Sequence, residues 1–480
     1  MTFLHGPEII EKTSGSRPIR TVRSAVIGLV GTAPMWAVAE ADRTLNTPVV
    51  IRSDRDAEKY FGPASAAGYT IPAAIRAAQA QGAATIIVVN VLDLATHKAA
   101  VVAAEFVLPA SDIVQLPDVG VQSVVVKDST GATTYDVDVD YTLNSVKGTV
   151  TRLAAGDIDA GATIKINYDR PDPTAVTGAE VIGTVEAGVR SGAQAWLDAS
   201  ALLGFAPKIL IAPGYASVAT VATALTTLAT TLRAIALIDA AAGTTVANAI
   251  AYRGTVGQAL ATASDRVVLC YPHVKTSDGA GGIATEPLSQ WLAGLIAATD
   301  ETEGFWVSPS NQELRGLVGL ERPLTSDGGT TSEINALNEQ GITTLAARFG
   351  GGIRAWGNRS AAFPAAATPN TFFPVRRVAD LISDSLEMEL LNFIDRPITP
   401  ALIDAITNSV NAYIRTLVGR GALIDGRCTY DPAKNADSEL ALGHLCFDLG
   451  FMPPPPAERI TFETTIDTTL LRGLNVAQGA

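Results

Sequence analysis

Four histidines, three cysteines and a few closely spaced carboxylates are the residues of this 480-residue chain best suited to chemistry. The histidines are His5, His97, His273 and His444. His273 ends the run Cys270-Tyr271-Pro272-His273, which closes an apolar segment that reads as a parallel strand. An acid–base role there needs a nucleophile and a carboxylate that orients the ring. Asp239, near the end of the neighbouring apolar segment, could supply the carboxylate, but no serine sits in a G-x-S-x-G elbow. A loop histidine accounts for the same residues more simply, because such sites are defined by geometry and not by position. His444, Cys446 and Asp448 alternate on one face and are metal-ligand types. A structural zinc site needs paired spacings, and no second pair follows. Asp136, Asp138 and Asp140 begin like a calcium loop, yet Tyr141 and Lys147 stand where Gly and Glu belong. There is no phosphate-cradling G-x-x-x-x-G-K-[ST], and Gly28 and Gly31 do not make G-x-G-x-x-G. No catalytic residue, cofactor or metal is expected.

The elements that would position such residues alternate strand and helix. Ser24–Ala33, Pro48–Ile51 and Thr85–Val91 read as strands, the first and last as near-continuous apolar runs covered on both faces. Ser53 or Asp54 can cap a short helix before Gly62, and Pro72–Gln81 reads as a helix stopped by Gly82. Further on, Lys208–Ala212, Ala234–Asp239 and Arg266–Tyr271 read as strands, with helices from Val218, around Val246–Ala261 and at Pro287–Thr299. This alternation implies a doubly wound, mostly parallel sheet. From about 107 to 177 the pattern switches to period two, rich in Val and Thr, as in a small inserted all-β module. Near the C-terminus, Pro374–Ile394 and Pro400–Val418 read as long helices, the second opened by Thr399-Pro400. Two strand-like segments follow, Leu445–Leu449 and Ile460–Ile466, separated by Pro453–Pro456. A proline run is a stiff, extended spacer, so the last strand is held off the one before it and is free to pair with another molecule's sheet. Residues 1–20 read as an extended arm whose single apolar patch is Glu8-Ile9-Ile10-Glu11.

Composition excludes several classes. The net charge of −13 argues against a nucleic-acid binder, which needs a basic footprint. The 47% hydrophobic content excludes a disordered chain. The longest uncharged stretch, Ile209–Leu232, could span a bilayer by length. Its apolar residues Val218, Val221, Leu225, Leu228 and Leu232 form a single stripe, so it reads as a buried amphipathic helix and no membrane insertion is expected. The first residues show no basic and apolar leader pattern, and three cysteines make no disulfide framework, which points to a reducing compartment. Charged residues make up only 17% of the chain, against about 25% in soluble proteins at large. A subunit that buries much of its surface against neighbours has this property.

His5–Glu11 with Arg17-Pro18-Ile19, Ser24–Pro34, Trp306–Asn311, Leu337–Ile342, Gly352–Arg359 with its Trp356-Gly357 pair, Val375-Arg376-Arg377, and Pro456–Phe462 follow one another along the chain. In this order they resemble the tail sheath proteins of contractile bacteriophages and related injection machines. The resemblance implies a non-catalytic structural subunit, built as stacked hexameric rings around an inner tail tube and contracting to drive that tube through the host envelope. Its implied partners are further copies of itself, the tube protein, and baseplate and tail terminator proteins, without nucleic acid. Its implied place is the virion tail, after assembly in the host cytoplasm. Carried onto this chain, Glu8, Ile9, Ile10 and Glu11, and Ile460, Thr461, Phe462, Glu463, Thr464, Thr465 and Ile466, would be the strands that link neighbours.

The organisation expected is therefore an arm (1–20), a first α/β part (21–106), the inserted β module (107–177), an α/β core (178–364), a C-terminal α+β domain (365–456) and a linking strand and tail (457–480). Two other readings of the residues are a hydrolase-like α/β enzyme using His273 and a surface-array protein.

Overall fold

The computed structural model describes residues 19–63, 68–277, 281–325, 331–347 and 352–474. The linking patch expected at Glu8–Glu11 lies outside these residues, as do parts of the glycine-rich segments near 280 and 350. The apolar runs assemble into a mixed sheet of nine strands among the described residues. Six are parallel, in the spatial order Ile342–Ala347, Val267–Cys270, Ile235–Asp239, Ile209–Ile211, Val26–Gly31 and Thr85–Asn90. Antiparallel strands close both edges, Val49–Ile51 at one, Ile353–Trp356 then Glu313–Leu314 at the other.

The sheet is apolar on both faces because helices cover both. Ile27 and Leu29 point into one core with the helices Thr70–Gln81 and Leu288–Thr302. Val26 and Val30 point into the other, with the helices Gly178–Ile182 and Ala219–Thr231. Every central strand alternates in this way, which is why their sequences lack a polar side. On the first face the two helices approach closely at Gly294, where a Cβ would come within 2.7 Å of the Ala78 Cα.

Several expected elements move. The helix expected over Val246–Ala261 stops at Tyr252. There Arg253 donates to the carbonyls of Leu260, Thr262, Gln340, Ala361 and Phe363, so the chain turns around its guanidinium. The small β module holds a four-stranded sheet whose edge strand is Lys98–Val107, so strand pairing begins ahead of residue 107. Its Ala-rich sequence hides the period-two pattern. The period-two run Tyr135–Val139 reads as a strand, yet pairing is confined to Thr134–Tyr135, because Asp140 folds the following residues into a turn. The first long C-terminal helix is Phe373–Leu390, and the second runs over Pro400–Gly419 with Thr399 capping the Leu402 amide at 3.2 Å.

The helix Phe373–Leu390 is tied to the parallel sheet by charge. Arg377 pairs with Asp300 on the helix Leu288–Thr302, with both side chains at most 4% exposed. Arg266 pairs with Asp380, and Lys208 and Arg233 both pair with Asp384. Below it, Val378, Leu381 and Ile382 share a core with Leu402, Ile406, Val410, Tyr413 and Leu417. No helix among the described residues is long and apolar enough to cross a membrane.

Candidate assembly surface

Parallel α/β sheets usually hold ligands at the carboxyl ends of their strands, where the strand order reverses. Here that point lies at the end of Val26–Gly31, and the chain's own side chains fill it. The buried Asn90 accepts from the amides of Ala33 and Leu92, both at 3.1 Å, and donates to the carbonyls of Leu92 (3.0 Å) and Thr44 (3.2 Å). The Thr70 hydroxyl accepts from the Thr32 amide at 2.9 Å. It occupies the space above Gly31, where a Cβ would meet it at 2.1 Å. These groups fasten the strand ends to one another.

The structure does bring Asp239, Cys270 and His273 together at neighbouring strand ends, in a structural arrangement. Asp239 Oδ1 accepts the Ser289 amide at 2.8 Å, capping a helix whose own N-cap residue is Pro287, with no acceptor side chain. Burial pushes the Asp239 carboxyl up, against the pull of His273 and the Ser289 and Leu288 bonds. His273 Nε2 donates to the Ala240 carbonyl at 3.0 Å. Burial, with Asp239 beside it, pushes the Cys270 thiol well up, which disfavours the nucleophilic thiolate. The other two clusters disperse. His444 pairs with Glu439 at 2.9 Å, Asp448 with Lys434, and the Cys446 thiol is exposed. Asp140 accepts the amides of Asp157 (2.7 Å) and Asp136 (2.8 Å), a turn clamp. Among the described residues no cluster suits a metal ion.

The C-terminal region leaves polar backbone open on a small sheet. Among the described residues, strands Asp425–Tyr430 and Phe447–Met452 pair only with each other, as an antiparallel hairpin lying on the helix Pro400–Gly419. Gly426 allows this contact, since a Cβ there would come within 3.1 Å of Ile414 and 2.8 Å of Phe451. The strand Asp425–Tyr430 escapes detection in sequence because Asp425-Gly426-Arg427 breaks its apolar alternation. Sequence placed the second strand two residues early; Asn435, not a neighbouring strand, holds Cys446, accepting its amide (2.7 Å) and donating to its carbonyl (2.8 Å).

Beyond Pro453–Pro456 every residue from 457 to 471 is exposed, and Ile460–Ile466 belongs to no sheet among the described residues. Ile460, Phe462 and Ile466 are 72%, 84% and 96% exposed. They fall on alternate positions, so in an extended conformation they share one face. The root of this arm is held by Arg359. Its Nε donates to Glu458 at 3.0 Å and its Nη2 at 2.6 Å, while the guanidinium lies 3.5 Å from the Phe372 ring centroid. Neither Arg359 nor Glu458 carries a local sequence signal for this contact, which spans 99 positions.

Comparison with known proteins shows the family. The phage tail sheath central domain matches residues 188–361, the phage tail sheath C-terminal domain matches 370–467, and a domain of unknown function matches 89–181. The chain is 46% identical over 475 residues to the tail sheath protein of Burkholderia phage BcepMu, covering 98% of both. It is 26% identical to the tail sheath protein of Escherichia phage P2, again over 98% of both. Its fold is similar to the helical sheath of the anti-feeding prophage in its contracted state, with TM-score 0.60, 17% identity, and coverage of 97% of this chain and 100% of that one. An open hairpin, an exposed arm and a relative matching along nearly the whole length converge, and the chain belongs to the phage tail sheath protein family.

Proposed function

We propose that this sheath subunit polymerises as stacked hexameric rings around an inner tail tube and contracts to drive the tube through a host cell envelope. The observation that carries the reading is the pairing of an unfilled two-stranded sheet with an exposed, alternating apolar arm on the same subunit. Ile460–Ile466 of one copy adds to the hairpin of the next, and Glu8–Glu11 serves as a second link. Main-chain hydrogen bonds give such links their strength, and burying each large apolar side chain adds about 1.5–3 kcal/mol. Main-chain links of this kind keep the lattice connected while the faces between subunits repack in a two-state transition. The exposed β module faces outward. Baseplate and terminator proteins meet the ends of the cylinder, which forms in the host cytoplasm and resides in the tail of the particle.

The test is truncation. Chains ending at Pro456, or lacking residues 1–20, are expected to fold with an unchanged circular dichroism spectrum yet form no long cylinders in negative-stain micrographs. Long contractile cylinders from either truncation would refute the linking-strand assignment.

A further inference from the structure

The core presents a groove of about 440 Å³ between the helices Asp54–Phe61 and Thr70–Gln81. The first helix lines it with Asp54, Ala57, Glu58 and Phe61, positions three and four apart that share one face. Phe61 and the facing Ile75 are buried and form the floor, while Asp54 and Glu58 stand exposed at the mouth. Neither carboxylate has an ion-pair partner among the described residues. Arg76, in the groove wall, is committed to the buried Glu286, and Lys59 pairs with Asp42 at 3.3 Å. The groove is an apolar hole with an acidic mouth. The turn that follows the helix Pro400–Gly419 has the opposite character. Ile424 is 59% exposed, and Arg420 and Arg427 are exposed on either side of it in the chain. Neither arginine has an ion-pair partner among the described residues. The one carboxylate between them, Asp425, accepts the Gly426 amide at 2.8 Å. This turn is an apolar knob with basic flanks.

We infer that Ile424 of one copy seats in this groove on a second copy, with Arg420 and Arg427 facing Asp54 and Glu58. An apolar centre rimmed by opposite charges is how specific protein interfaces are built, the charges fixing the register. The occupant is another copy because every subunit carries both features, and each supplies the charge that the other lacks. Within one chain both stay open to solvent, so they do not meet intramolecularly. Knob and hole are different surfaces, so the contact is head-to-tail and repeats around a ring or along a helix. This rests on the proposed self-assembly and adds to it a contact between the C-terminal region of one subunit and the core of the next, apart from both terminal arms.

Charge exchange in the full-length chain tests this. Asp54→Lys with Glu58→Lys, and separately Arg420→Glu with Arg427→Glu, alter exposed side chains, so unassembled subunits should keep the native unfolding midpoint. Each pair is expected to raise the critical concentration for cylinder formation by about tenfold, because like charges then meet across the contact. All four substitutions in one chain should return it to within about threefold of the native value, since opposite charges face each other again. Disulfide trapping in a Cys446→Ser background gives a second readout. Ile424→Cys combined with Ala57→Cys or Gln79→Cys should crosslink subunits in intact cylinders. Ile424→Cys with Thr223→Cys, exposed on the helix that covers the opposite face of the sheet, should not. Unchanged assembly in either charge-reversed pair, or intact cylinders without the crosslinks, would overturn the contact. So would impaired assembly that the fourfold variant fails to rescue, which would give the groove to a different partner. If the unmodified chain forms no cylinders, self-assembly itself fails and this contact falls with it.

Discussion

Arg377 and Asp300 form an ion pair, with Nη1 2.8 Å from Oδ1, at the place where the first long C-terminal helix lies against the core helix Leu288–Thr302. Both side chains are withdrawn from water, so each charge depends on the other for its solvation. Arg377→Ala is expected to lower unfolding stability by about 3–5 kcal/mol, because it strands the Asp300 charge. Replacing both with apolar residues of similar volume should restore much of the loss. Denaturant unfolding of unassembled subunits measures both.

The Arg359–Glu458 contact is partly exposed, so its effect on folding stability should be small. Glu458→Ala is expected to shift unfolding by less than about 1 kcal/mol. Its effect on assembly should be larger, since the pair fixes where the arm leaves the subunit. The critical concentration for cylinder formation should rise by about threefold or more, as expected when a tethered segment loses its orientation. Light scattering at a series of subunit concentrations checks this.

Arg253 donates to five carbonyl oxygens and has no carboxylate partner among them. Desolvation pulls its pKa down from the ordinary arginine value. Arg253→Ala removes a donor from each of these carbonyls, of which Leu260's keeps the Thr262 amide at 2.9 Å, and Arg253→Lys cannot reproduce the planar fork. Both should destabilise the subunit, the alanine variant by about 2–4 kcal/mol. Thermal unfolding should rank native above lysine above alanine.

The inserted module should be acid-sensitive. The amides of Asp157 and then Asp136 hold the Asp140 carboxyl below its usual range, and Lys98 chiefly does the same for Asp169. A depressed carboxylate pKa contributes stability that is complete above the unfolded value, near pH 3.9, and is lost as pH falls below it. Hydrogen exchange should therefore show the module losing protection below about pH 4. Asp140→Asn should be less protected at pH 7 but change less on acidification, because asparagine supplies one acceptor and no titrating charge.

Much of the core was legible because burial on both faces writes itself locally. A strand such as Val26–Gly31 must be apolar at every position, and helices such as Pro400–Gly419 carry a cap and a single stripe. The same logic fails where one residue bends the chain. Arg253 ended a helix that its sequence would have continued, and Asp140 turned a strand that its alternation would have extended. These effects depend on partners that lie in other segments.

The sequence by itself determined the alternating strands and helices, the β module, the proline spacer and the alternating apolar arm, since each is a pattern of neighbours along the chain. It also placed Asp239 and His273 at adjacent strand ends. Only the tertiary structure decided what they do there: cap a helix and bond a carbonyl. Only the tertiary structure likewise set Asn411 against Cys428 and Arg359 against Glu458, contacts that span 17 and 99 positions. The reason is physical. Periodicity reports which side of an element meets the core, whereas a hydrogen bond between distant segments requires atoms within about 3 Å, a condition set by the packing of the whole chain.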